Sequence, residues 1–111
     1  MKILILGGGQ DAFILSYLFH KKFNVRTSLS VRDLTINNSV NNWADIYPCG
    51  SFIDNIDNLF NLILNIKPDF VINTAALSSS KDCNKSPDIV YKINGEFPIK
   101  LIKFLSINKI N

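Results

Sequence analysis

The first two dozen residues constrain the chain most. A short apolar run, Ile3 to Leu6, breaks into the consecutive glycines Gly7, Gly8 and Gly9, and from Ala12 to Lys22 the apolar residues take helical spacing. Gly7-x-Gly9-x-x-Ala12 therefore falls where a strand turns into a helix, the setting in which G-x-G-x-x-G/A reads as a dinucleotide-binding turn. The chemistry asks for these residue types. Gly7 permits the tight turn, Gly9 lets the backbone approach a pyrophosphate, and Ala12 is small enough for close packing of helix on strand. The helix start then offers unpaired N–H groups and a positive dipole end to phosphate oxygens. A glycine-rich turn that binds nothing is the plainer alternative.

At 111 residues the chain is expected to form one domain, and its 47% hydrophobic and 19% charged residues are those of an ordinary globular protein. The net charge of +3 comes from lysines that are scattered and not interleaved with aromatics, which reads as a solvated face and argues against nucleic acid as a partner. Cys49 and Cys83 form no C-x-x-C pair, and His20 is the sole histidine. That pattern argues against a zinc site and suits free thiols in a reducing compartment. The apolar start is too short for a signal peptide and no stretch is long enough to span a membrane, so the expected location is the cytoplasm.

Periodicity gives the order strand, helix, strand, strand, helix, strand, helix. Strands are expected at Lys2–Leu6, Asn24–Ser30, Ala44–Pro48 and Phe70–Asn73, the last a continuous apolar run of the kind buried in parallel sheets. Helices are expected at Asp11–Lys22, with Ala12, Leu15, Leu18 and Phe19 inward, and at Asn55–Ile66, capped by Asp54, with Ile56, Leu59, Phe60 and Ile63 inward. Lys67-Pro68-Asp69 ends the second helix. A final helix spans Pro87 to Leu105, where Pro98 must kink or restart it. Residues 33–43, rich in Asn, Ser and Thr, read as a loop or short irregular helix with Trp43 as an anchor. Alternating strands and helices predict an α/β parallel sheet with right-handed crossovers, and read together with a dinucleotide-binding turn the expected architecture is a Rossmann-type doubly wound sheet of four strands in the order 3-2-1-4, with ligands at the carboxyl ends of the strands.

Beyond the fourth strand the chain reads Asn73-Thr-Ala75-Ala76-Leu-Ser78, then Pro87, Tyr91, Asn94-Gly95 and Pro98. With the glycine turn, this resembles the extended short-chain dehydrogenase/reductase superfamily, its NAD-dependent epimerase/dehydratase group. Within that group it looks most like the dTDP-4-dehydrorhamnose reductases, while Gly9-Gln10-Asp11 is similar to GDP-mannose 4,6-dehydratases. The resemblance implies that Gly7, Gly9, Gln10 and Asp11 wrap the pyrophosphate of NAD or NADP. It implies that Ala75 and Ala76 line the cofactor's ribose, that Asn94 helps order the active site and that Ser78 lies near the reacting sugar of a nucleotide-sugar substrate. A homodimer is a further expectation. The chain departs from the family at two places: the glycine loop is one residue shorter than the usual Gly-x-x-Gly-x-x-Gly, and Ser51 stands after Gly50 where relatives often carry the aspartate near adenine. Small residues under a turn and a helix interruption before Gly95 are the plainer readings of Ala75, Ala76 and Asn94.

The end of the second strand bears on the cofactor. An acidic residue about 20 positions past the fingerprint suits a free ribose 2′-hydroxyl, an arginine a 2′-phosphate. Ser30 and Arg32 lean toward NADP, although Asp33 could serve NAD. The superfamily's catalytic Tyr-x-x-x-Lys lies beyond a fifth strand. Tyr17-x-x-x-Lys21 has the spacing but sits on the helix directly after the glycine turn, and Tyr91 has no lysine four residues on, so no catalytic residue is assigned. The resulting expectation is the N-terminal, cofactor-binding part of a nucleotide-sugar oxidoreductase, epimerase or dehydratase, inactive by itself and prone to self-association along the apolar fourth strand. The alternatives are a non-catalytic NADP-sensing module, a GDP-mannose 4,6-dehydratase-like fragment, and an α/β domain with no dinucleotide.

Overall fold

The computed structural model describes residues 1–32, 38–76 and 86–111. Its strands are β1 (Ile3–Leu6), β2 (Thr27–Val31), β3 (Ala44–Pro48) and β4 (Phe70–Asn73), all parallel, in the order β3-β2-β1-β4. Leu4 and Ile5 of β1 stand opposite Ser28 and Leu29 of β2 on one side and Val71 and Ile72 of β4 on the other. Every residue of β1 is buried, as a central strand covered on both faces requires. Its side chains alternate between two cores. Ile3 and Ile5 join Leu29, Val31, Val40, Ala44 and Ala12 on one face, while Leu4 and Leu6 join Leu59, Ile63, Phe97, Leu101 and Leu105 on the other. This is a Rossmann-type sheet, as the segment order predicts.

Helix α1 (Gln10–Phe23) covers the first face. Ala12 is buried, and Leu15 and Phe19 are partly so, but Leu18 is 38% exposed and not inward as its spacing predicts. Ser16 takes the buried place. Its hydroxyl donates to the Phe13 carbonyl at 2.8 Å and accepts from the Trp43 indole at 3.0 Å. Trp43, edge-on to Tyr17 with ring centroids 5.3 Å apart, thus anchors the 3₁₀ segment Asn38–Asn42 against α1. The second strand begins at Thr27, three residues later than expected. Asn24 adopts a left-handed conformation, and the N–H groups of Asn24 and Val25 turn back to the carbonyls of His20 and Phe19. Those residues close the helix and so are not free to pair.

The second face carries α2 (Ile56–Ile66) and the terminal helical run. Asn55, not Asp54, occupies the N-cap position of α2. The run consists of α3 (Pro87–Tyr91), a π-helical turn over Lys92–Glu96, and α4 (Phe97–Ile107). The Phe97 N–H bonds the Lys92 carbonyl five residues back, so α geometry restarts with Pro98 in the first turn, where its missing N–H costs little. Phe60 and Phe104 stack at 4.0 Å between ring centroids, joining α2 to α4. Beyond α4 the Asn111 carbonyl accepts the outward N–H of Val71 at 2.7 Å, on the open side of β4. Among the described residues no helix is long and apolar enough to cross a membrane.

Candidate functional site

Hydrogen bonds continue past the strand ends and tie the first residues of the loops to their neighbours. The Gly7 N–H donates to the Ser30 carbonyl at 2.9 Å, Cys49 to Val31 at 2.9 Å, Gly50 to Arg32 at 3.1 Å, and Thr74 to Leu6 at 2.9 Å. A cavity of about 240 Å³ opens among these loops, at the carboxyl ends of the strands. Gly7, Gly8 and Gly9 form one side, Arg32 and residues 50–53 a second, Thr74, Ala75 and Ala76 a third. Ile93 and Phe97, four residues apart on the helical run, complete the wall.

The glycines have different reasons to be there. Gly7 has φ +123°, and a β-carbon on it would meet the Thr74 hydroxyl oxygen at 2.5 Å, so both strain and space exclude a side chain. That hydroxyl is itself fixed, donating to the Leu6 carbonyl at 2.7 Å. Gly9 is the reverse case. Among the described residues a β-carbon there would meet nothing within 4 Å beyond its chain neighbours, and the residue is the N-cap of α1 with no side-chain cap. The first N–H groups of α1 therefore face a corner that the described residues leave clear, which suits the approach of a diphosphate.

Arg32, Ser51, Ala75 and Ala76, singled out in the sequence, line this cavity together with Gly7 and Gly9. Gln10 and Asp11 are exposed at the first turn of α1, with Asp11 facing a separate open groove shared with Ile14, Leu15 and residues 72–74. Asn94 lies in the π-helical turn, between the wall residues Ile93 and Phe97 in sequence but outside the lining. Ser30 requires a correction. Its side chain points beneath the sheet, fully buried and 2.8 Å from the Cys49 sulfur, because it falls on the face of β2 opposite Leu29 and Val31. Only its carbonyl serves the glycine turn. Burial pushes the Cys49 thiol above its usual range, against the opposing effect of the Ser30 hydroxyl. Asp33, Ser78 and Cys83 lie outside the described residues. Tyr17 and Lys21 are exposed on α1 and far from the lining, so the Tyr-x-x-x-Lys spacing there assembles nothing at this site.

Sequence reasoning missed the apolar wall. Phe52 stacks nearly parallel on the buried Phe97, ring centroids 5.2 Å apart, and Ile53 and Ile93 stand beside them. Apolar residues of this kind look like core in a sequence, and only the turn after β3 brings them to the terminal helices. Ser51 is visible in the sequence but its bonding is not: its hydroxyl accepts the N–H of Ile53 at 3.2 Å and of Asp54 at 3.4 Å. Those bonds hold the loop that leads into α2.

In comparisons with known proteins, no curated protein matches this chain in sequence. Solved structures do match. UDP-glucose 4-epimerase from Brucella ovis, in complex with NAD, superposes with a TM-score of 0.79 at 19% identity over 97% of this chain and 33% of its own. L-threonine dehydrogenase from Clostridium difficile gives 0.79 at 17% identity over 100% and 35%. UDP-glucose 4-epimerase from Thermotoga maritima, with UDP-glucose, gives 0.77 at 17% over 99% and 35%. The chain thus spans about a third of the length of these proteins. Likeness at such identities speaks for the fold. The family model of the NAD dependent epimerase/dehydratase family matches residues 3–111, nearly the whole sequence. This chain belongs to the NAD-dependent epimerase/dehydratase family.

Proposed function

We propose that the chain binds a nicotinamide dinucleotide, NADP in preference to NAD, as the cofactor-binding part of a cytoplasmic enzyme that acts on a nucleotide sugar, of the dTDP-4-dehydrorhamnose reductase type. The observation that carries the reading is the corner at Gly9, where no described residue beyond its chain neighbours stands within 4 Å of an added β-carbon and the start of α1 opens on the cavity. Gly7 and Gly9, with the backbone N–H groups of Gln10 and Asp11, hold the pyrophosphate. The Arg32 guanidinium, exposed at the cavity's side, takes the ribose 2′-phosphate. Ala75 and Ala76 admit the second ribose, Ser51 meets the base, Asn94 positions the helical wall, and Ser78 stands near the sugar. Bound nicotinamide would supply hydride exchange with a sugar carbon, and the residues described supply binding and orientation. Support for a nucleotide-sugar substrate comes from the family and from similar proteins solved with NAD or with UDP-glucose. Ile99 and Ile102, exposed on one side of α4, supply an apolar stripe for a homodimer.

Titration calorimetry with NADP and NAD tests the reading. Saturable binding of NADP is expected, lost in Gly9→Val. That variant fits the φ of −86° and the empty space and so folds normally while filling the corner. Arg32→Ala should weaken NADP by about tenfold, the size of one charge-assisted contact, and leave NAD nearly unchanged. Absence of saturable binding by either dinucleotide would overturn the proposal.

A further inference from the structure

Of the three consecutive glycines, Gly8 is the one whose presence the turn itself does not explain. Its φ is not positive, so an alanine could adopt its backbone. The restriction is one of space. The nearest atoms that a β-carbon on Gly8 would meet are Cγ1 of Val31 at 3.3 Å and Cβ of Val31 at 3.4 Å, at the end of β2. An added methyl would press on that strand, although Gly8 itself lines the cavity. The loop has little room to withdraw. On its other side Thr74, beyond β4, excludes a side chain at Gly7, and the Gly7 N–H is held by the Ser30 carbonyl. Val31 is buried, its branched side chain has few rotamers, and its carbonyl accepts the Cys49 N–H at 2.9 Å. Arg32 follows directly, lines the cavity and is tied by its carbonyl to the Gly50 N–H. Packing this close transmits displacement, so a push on Val31 reaches Arg32.

We propose that Gly8 is a positioning residue: its bare contact with Val31 sets the separation between the diphosphate corner and the Arg32 guanidinium, and with it the preference for a 2′-phosphate. The inference rests on the dinucleotide reading given above and adds the contact that fixes the span between two points of attachment. A guanidinium grips phosphate through parallel N–H bonds whose geometry is narrow. The backbone N–H groups at the start of α1 hold the diphosphate at the same time. NADP must satisfy both points at once, whereas NAD engages only the corner. A shift of a few tenths of an ångström between them therefore weakens NADP and spares NAD.

The test is calorimetric titration of the native chain, Gly8→Ala and the double variant Gly8→Ala/Val31→Ala with NADP and with NAD, each protein checked by circular dichroism. In Gly8→Ala the affinity for NADP should fall about fivefold, less than removal of the whole guanidinium would cost, and that for NAD should change by less than about twofold. The double variant moves the methyl from one side of the contact to the other. It should return the ratio of the two affinities to within about twofold of the native value. Equal weakening of both dinucleotides in Gly8→Ala would mean that the methyl lifts the turn and leaves Arg32 in place, and overturns the inference. So do unchanged affinities, a folded double variant that keeps the defect, and a Gly8→Ala chain that does not fold, since the strand end would then be unable to yield. A native chain that binds both dinucleotides without preference overturns the Arg32 assignment and this inference, and leaves the diphosphate corner standing. Failure of both to bind overturns the dinucleotide reading itself.

Discussion

The two faces of the sheet are built differently. The face under α1 mixes polar groups into its core: Ser16 is fully buried in a relay from Trp43 to the Phe13 carbonyl, and the Thr27 hydroxyl is buried with no hydrogen-bond partner among the described residues. The face under α2 and α4 is built of leucine, isoleucine and phenylalanine with stacked rings, and among the described residues its buried polar contact is the Ser30–Cys49 pair. Their relation to the cavity differs as well. Phe97 is at once part of the second core and part of the cavity wall, whereas Ser16, Trp43 and Thr27 belong to neither the wall nor the glycine turn. The cavity wall therefore shares a residue with the core of one face, while the buried polar groups of the other face lie away from it.

Three substitutions would break or sharpen that contrast. Phe97→Ala should cost about 3–5 kcal/mol, the usual range for deleting a buried aromatic, and should weaken dinucleotide binding because a wall residue is lost. Urea unfolding together with calorimetry reads both effects. Ser16→Ala should cost about 1–2 kcal/mol, since the Trp43 indole N–H loses its acceptor in a partly buried setting, with binding untouched. If Ser16→Ala weakened binding as much as Phe97→Ala, the separation of the faces would not hold. Thr27→Val should raise stability by up to about 1 kcal/mol, because it removes a buried hydroxyl without a partner and keeps the branched shape, again with no change in binding. A destabilised Thr27→Val would mean that the hydroxyl is bonded in solution.

How much of this is legible in the sequence depends on how local each feature is. The bounds of β3 and β4 and the inward residues of α2 follow from short-range pattern and agree with the expectation. The parallel sheet follows from the alternation of strands and helices, and its order β3-β2-β1-β4 agrees with the expectation set by the dinucleotide-binding turn. Leu18 and Ser16 exchange their expected places because Trp43, remote in sequence, offers a hydrogen bond that periodicity does not register. Asn24 illustrates competition between elements, since a residue that reads as strand is claimed by the end of α1. The glycine corner, Arg32, Ser51 and the two alanines are visible because backbone approach and charge restrict residue type. Phe52, Ile53, Ile93 and Phe97 are not, since an apolar side chain facing a ligand and one facing a core satisfy the same pattern. The π-helical turn is half-visible: Pro98 announces a disturbance in the helix, but the spacing does not say that a wider coil will absorb it.

The contact between the Asn111 carbonyl and the Val71 amide has a geometric consequence for anything added at that margin. In a parallel ladder, hydrogen bonds on one side of a strand recur at every second residue. With one of β4's outward donors already matched to residue 111, any strand laid alongside in the same direction takes its phase from that single bond. A slip by one position would exchange which of its side chains face α1 and which face α4. The alignment of a neighbouring strand is thus specified before any of its own residues are laid down.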